Sequence, residues 1–175
     1  MFPKAHAAAY VLNAVRIAYF KVHHPLSFYA AYFTVRAEDF DLALMERGAD
    51  AIALRIEEIE GKGVTASPKE KSLQTVLELA LEMTRRGFTF RTLDLYQSDA
   101  TRFLVRDGSL LPPFAATTGI GDAAARNIVA ARGEAEFLSV EDLQERAHLT
   151  KTVVELLDGY GCFANLPASN QLSLF

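Results

Sequence analysis

Gly119-Ile120-Gly121 lies between a short apolar segment, Phe114-Ala115-Ala116-Thr117-Thr118, and an alanine-rich run from Asp122 through Arg126 to Arg132. A glycine on each side of one apolar residue lets the backbone turn tightly and approach a ligand closely. Ile120 then points inward and joins the two flanking helices. The pattern is a helix-hairpin-helix, and it leaves the N–H groups at the start of the second helix facing outward. With the helix dipole behind them, such groups hold a phosphate without consulting the base. The plain alternative is an αα-turn whose glycines serve as cap and spacer. Asp122 is expected to cap the second helix, which sets a carboxylate near the proposed anion site. Gly119→Val combined with Gly121→Val is expected to weaken duplex binding without unfolding the chain.

A second unit of the same kind follows. Ser139-Val140-Glu141-Asp142 reads as a capping box, and Thr150-Lys151-Thr152 starts a helix ending at Gly159. Leu149 stands where the first hairpin has Ile120. The glycines are missing, so the second turn reads as mainly structural. Residues 112–167 hold more acids than bases, and the whole chain carries a net charge of −4. No global positive field advertises nucleic acid, so any such contact is local.

Upstream, Ala5 to about His24 and Leu26 to Phe33 read as two helices around His23-His24-Pro25, apolar nearly all round. Their aromatic faces need a partner to cover them, as a piece of a larger core would. Helices are also expected over Asp39–Arg47 and Ala49–Glu60. Ser67-Pro68-Lys69-Glu70 is the strongest helix start, with a capping box and a proline in the first turn, running to Arg86. Phe88–Leu95 and Thr101–Val105 alternate as strands, and Asp107-Gly108 makes a hairpin turn into Ser109-Leu110-Leu111. Pro112-Pro113 marks a subdomain boundary.

The fold expected is mainly α with a small antiparallel β element. Half of the 175 residues are hydrophobic, enough for a real core. One cysteine, Cys162, excludes an internal disulfide and reads as a small core residue. The four histidines are too scattered for a metal site, and Glu57, Glu58 and Glu60 read as a wet helix face. No apolar run is long enough to span a bilayer, which points to a cytoplasmic protein without membrane contact. The last residues, Gln171-Leu172-Ser173-Leu174-Phe175, present spaced apolar groups that either dock on the chain itself or fill another protein's pocket.

Taken together, Lys4–Tyr10, Ala18–Pro25, Phe28–Phe33, Asp94-Leu95-Tyr96, Ser98-Asp99-Ala100, Pro112-Pro113-Phe114, the hairpin and the terminal Gln-Leu-Ser-Leu-Phe carry a resemblance. The chain resembles, over essentially its whole length, the C-terminal portion of PolC-type DNA polymerase III alpha subunits. The resemblance implies a division of labour. Residues 1–66 would be the end of the fingers and 67–111 a connecting helix and sheet. Residues 112–166 would be a tandem helix-hairpin-helix unit gripping duplex DNA, and 167–175 a flexible tail binding the beta sliding clamp.

On that basis Thr118, Gly119, Ile120, Gly121, Arg126 and Lys151 would contact DNA, and Lys4, His6 and Arg16 would lie near the incoming nucleotide. Gln171, Leu172, Ser173, Leu174 and Phe175 would occupy the clamp's pocket. Partners implied are primer-template duplex, the clamp and the rest of the alpha subunit. The family's palm carboxylates, their magnesium ions and its 3′–5′ exonuclease lie upstream, so this chain is expected to hold no cofactor and to add no nucleotide alone. Two other classes fit less of the chain: a helix-hairpin-helix subunit of a structure-specific nuclease or repair complex, and a non-catalytic helical interaction protein.

Overall fold

In the computed structural model, residues 3–36 and 40–169 are described. The chain is mainly α, with one two-stranded antiparallel hairpin. The elements are α1 (Lys4–His23), α2 (Pro25–Val35), α3 (Leu42–Met45), α4 (Ala49–Gly61), α5 (Pro68–Arg85), β1 (Leu104–Arg106), β2 (Ser109–Leu111), α6 (Asp122–Glu134), α7 (Val140–Arg146) and α8 (Lys151–Gly159).

Local chemistry explains most of these boundaries. Ser67 Oγ accepts from the Glu70 N–H at 3.2 Å and Glu70 Oε2 accepts from the Ser67 N–H at 2.9 Å, the reciprocal pair that starts α5. The Lys62 ammonium, followed by the Ser67 N–H and hydroxyl, holds the Glu70 carboxyl down to about 2. In the β1–β2 turn Asp107 and Gly108 both adopt positive φ, 49° and 76°, as a tight two-residue turn between right-twisted strands requires. Leu104 pairs with Leu111 and Arg106 with Ser109.

The segment Phe88–Leu95 departs from its strand-like alternation. It makes one parallel bridge, Phe90 to Leu110, with the Arg91 N–H donating to the Leu110 carbonyl at 2.8 Å and the Leu110 N–H donating to Thr89 at 2.9 Å. Beyond that the chain turns, so the alternation records burial of Leu93 and Leu95 and not a strand.

The buried side chains run as one contiguous cluster from Tyr29 to Phe163. Ile52, Ile56 and Ile59 of α4 and Val76, Leu77, Ala80 and Met83 of α5 supply one part, each set spaced at helical period. Phe33, Phe40, Phe90 and Phe103 supply another, ring to ring at 4.8 to 6.5 Å in edge-on or tilted pairs. The Phe103 N–H donates to Thr34 Oγ1 at 2.9 Å, while that hydroxyl donates to the Ala30 carbonyl, fastening the sheet to α2.

α1 stands apart from this core. None of its residues is buried, and Tyr10, Val11, Val15, Ile17, Tyr19 and Phe20 are each more than half exposed. No described helix is long and apolar enough to cross a membrane.

Candidate nucleic-acid interface

The first hairpin is built on a scaffold that lies earlier in the sequence. Asp94 and Asp99 fold the segment between β-bridge and hairpin into turns by accepting from backbone amides two and three residues on: Tyr96 and Gln97 for Asp94, Thr101 and Arg102 for Asp99. Burial alone would raise the Asp99 carboxyl, but these amides and the Arg102 guanidinium hold it below its usual range. The carbonyls of Asp99 and Ala100 then accept from the Phe114 and Ala115 N–H groups at 3.1 and 3.0 Å, seating the 3-10 turn Phe114–Ala116 that opens the hairpin. At the far end Arg132 donates to the Leu95 carbonyl at 2.9 Å, so this cation holds α6 to the scaffold.

Within the turn, Gly119 takes φ +98°, a conformation other residues reach only with strain. A Cβ placed there would stand 2.7 Å from Leu156 Cδ1 of α8. Ile120 is 3 % exposed, and its N–H donates to the Thr117 carbonyl at 3.0 Å. Its side chain and its amide both serve the turn. Gly121 is the N-cap of α6, with φ −76° and open space around its Cα.

Two expectations change here. Asp122 is not the cap: it is the first residue of α6, makes no capping bond and lies 3.8 Å from Arg126. The N–H groups of Gly121, Asp122, Ala123 and Ala124 consequently have no hydrogen-bond partner among the described residues. Replacing both glycines by valine also carries a stability cost at Gly119, from its φ and its contact with Leu156, whereas Gly121 has room.

Thr118, Gly119, Gly121 and Arg126 are exposed on this turn and the first coils of α6. Thr117 Oγ1, just before them, is the one buried side-chain oxygen or nitrogen among the described residues that lacks a hydrogen-bond partner.

The second hairpin reproduces the first with different residues. His148 takes the left-handed conformation, φ 52°, where the first turn has Gly119. Leu149 is buried where Ile120 is, and Thr150 is the N-cap where Gly121 is. Histidine is among the residues that tolerate this region, so the missing glycines did not preclude the turn. Thr150 Oγ1 accepts from the Val153 N–H at 3.4 Å, leaving fewer open amides than Gly121 leaves. Lys151 begins α8 with its side chain exposed, 3.7 Å from Glu155. Because Leu156 of α8 packs against Gly119, the two turns stand side by side.

Arg146 holds the pair together. It donates to the carbonyls of Ala131, Ala135 and Glu136 at the end of α6, pairs with Asp142 at 3.2 Å and covers the Phe137 ring at 4.8 Å. Of the capping box expected at Ser139, one half forms: Ser139 Oγ accepts from the Asp142 N–H, but Asp142 accepts from Leu138, which with Arg146 keeps its carboxyl low.

Other nominated residues lie elsewhere. Lys4, His6 and Arg16 are exposed on α1, with Lys4 and Arg16 about 18 Å apart along its axis. Gln171, Leu172, Ser173, Leu174 and Phe175 lie outside the described residues. Just before them, the Pro167 and Ala168 carbonyls accept from the Val140 and Glu141 N–H groups at 2.9 and 3.2 Å, fastening the chain to the start of α7. Among the described residues no group of three His, Cys, Asp or Glu could hold a metal ion.

Cys162 is half-buried against the Leu93 carbonyl, and desolvation, with Asp94, Asp158 and Glu46 adding, pushes its thiol up to about 12. Iodoacetamide at pH 8 is therefore expected to alkylate it at least about 100-fold more slowly in the folded chain than after denaturation, measured by mass spectrometry. Equal rates would place the thiol in water.

Comparison with known proteins agrees with this geometry. A helix-hairpin-helix motif family matches residues 87–172. The DNA polymerase III PolC-type of Halalkalibacterium halodurans is 68 % identical over all 175 residues, that of Bacillus subtilis 62 % and that of Caldanaerobacter subterraneus 55 %. In each case all of this chain is covered and 12 % of the relative.

Proposed function

Because the chain is a segment of a PolC-type DNA polymerase III, we propose that it supplies that polymerase with a sequence-independent grip on duplex DNA and with attachment to the sliding clamp. The observation that carries the first half is the row of four open amides from Gly121 to Ala124 at the start of α6. An N-cap without a side chain lets a phosphate oxygen approach them, and the helix dipole favours its charge. Thr118 and Gly119 flank the phosphate, Arg126 and Lys151 add charge at its edge, and Ile120 keeps the turn in shape from inside. Such contacts read backbone and not bases.

Residues Gln171 to Phe175 are the clamp peptide. Gln171 would hydrogen-bond at a pocket rim while Leu172, Leu174 and Phe175 fill the apolar groove. A peptide tethered to a module already on DNA reaches a ring around the same DNA at high effective concentration, so a modest intrinsic affinity suffices. The helices of residues 1–66 would seat on the remainder of the alpha subunit, where Lys4, His6 and Arg16 approach the incoming nucleotide.

Clamp binding tests the tail directly. The 175-residue chain is expected to bind a bacterial beta clamp, and a form ending at Asn170 is expected to lose at least about tenfold in affinity by calorimetry. Equal binding by the two would sink this assignment.

A further inference from the structure

α1 leaves the body of the molecule as a twenty-residue arm. A single residue, His24, with φ −135° and ψ 55°, joins it to α2. The angle between the two helices is not filled by packing: an open apolar groove of about 490 Å³ lies between Ile17 and Phe20 on one side and Phe28, Tyr32 and Val35 on the other. Lys21 is the sole residue of α1 that is even half-buried.

Lys21 is also where the arm is fastened. Its ammonium lies 2.5 Å from Glu82 Oε2 of α5 and 5.5 Å from the Phe28 ring. Glu82 Oε1 accepts from the Tyr29 hydroxyl of α2 at 3.1 Å, so one carboxylate ties α1, α2 and α5 together. Arg86, one turn on from Glu82, closes the other side. It donates to the Lys21 carbonyl at 3.2 and 3.3 Å, to the Tyr29 hydroxyl at 2.9 Å, and stacks 5.7 Å from the Tyr29 ring. A guanidinium on a carbonyl of the last turn both satisfies an orphan acceptor and complements the negative end of the helix dipole.

We infer that Glu82, with Tyr29 and Arg86, is a positioning residue that sets the direction in which α1 projects from the body formed by α2 to α8. The leverage is large. From Lys21 to Lys4 is about 26 Å of helix, so a swing of about 10° at the clasp moves Lys4 by about 4 to 5 Å, more than a hydrogen bond can follow. A residue far from Lys4 and His6 thereby governs where they stand.

The clasp is tested in the full chain by electron–electron distance measurement. Nitroxides are placed on Ala8→Cys and Lys69→Cys in a Cys162→Ala background, diluted with unlabelled protein. The parent is expected to give one narrow distance distribution. Glu82→Ala and, independently, Lys21→Met are expected to broaden it at least twofold with the melting temperature of the body nearly unchanged. Lys21→Met leaves every body residue in place, so it answers the question even if Glu82→Ala misfolds. Widths equal to the parent's in both variants would overturn the inference.

A second arm separates it from the proposed function, on which its consequence for catalysis rests. In the whole polymerase, Glu82→Ala is expected to raise the KM for incoming nucleotide about threefold or more while duplex affinity holds. Broadening without a KM change would support the clasp and remove Lys4, His6 and Arg16 from the neighbourhood of the nucleotide.

Discussion

Gly119→Val is expected to lower the melting temperature by roughly 6–15 °C, while Gly121→Val moves it by no more than a few degrees. The two glycines are two residues apart and both exposed, yet the backbone treats them oppositely. At Gly119 the φ of +98° is one a β-branched residue reaches with strain of roughly 1–3 kcal/mol. Its Cβ would also press on Leu156 Cδ1 at 2.7 Å, and repacking that contact costs roughly another 1–3 kcal/mol. Because Leu156 belongs to α8, the damage spreads to the second hairpin. Gly121 has φ −76° and nothing within reach of a Cβ, so valine there loses a better N-cap residue and costs about 1 kcal/mol. Thermal melts followed by circular dichroism separate the two. Equal melting temperatures would mean that the turn does not pack on α8 as described.

Removing residues 1–24 is expected to convert the isolated chain from a self-associating protein into a monomer. Tyr10, Val11, Val15, Ile17, Tyr19, Phe20 and Val22 of α1 are 54 to 67 % exposed, and no described residue covers them. Burying each fully is worth about 1.5–3 kcal/mol, and an exposed apolar surface of that extent on a soluble protein marks an interface. In the polymerase that surface would face the remainder of the alpha subunit; alone, a second copy is the nearest apolar substitute. Sedimentation velocity at about 50 µM, where contacts worth about 6 kcal/mol are occupied, should show oligomers for the full chain and one species for the truncated one. A monodisperse full chain would show that α1 needs no partner. The core itself starts at Tyr29, so the truncation leaves it whole.

What could be read from the sequence was what local chemistry decides. Ser67 and Glu70 name their helix start, Asp107-Gly108 its turn, and Gly119-Ile120-Gly121 a hairpin, because each works through atoms a few residues apart. Long-range partners were hidden. Phe88–Leu95 alternates as a strand does, but its neighbours are the aromatic cluster and Leu110, so the period records burial alone. Nothing local to Arg132 or Arg146 announces their partners, since both sit on carbonyls that only the fold brings to them. Asp94 and Asp99, each followed by turn residues, did carry a local signal of the scaffold under the hairpin. The left-handed His148 could not be foreseen from glycine spacing, and with it the second hairpin regains the shape that its sequence disguises.

The proposed grip on duplex DNA rests on Gly121 to Ala124, and its salt dependence tests it most directly. The full chain is titrated by fluorescence anisotropy with two duplexes of unrelated sequence between about 20 and 200 mM salt, where each phosphate contact contributes about 0.9 to the slope of log affinity against log salt. Equal affinity for both duplexes is expected, falling with salt, and Gly121→Val is expected to stay folded while losing about one unit of slope. Absence of duplex binding at the lowest salt, or an unchanged slope in folded Gly121→Val, would contradict a phosphate held by those amides.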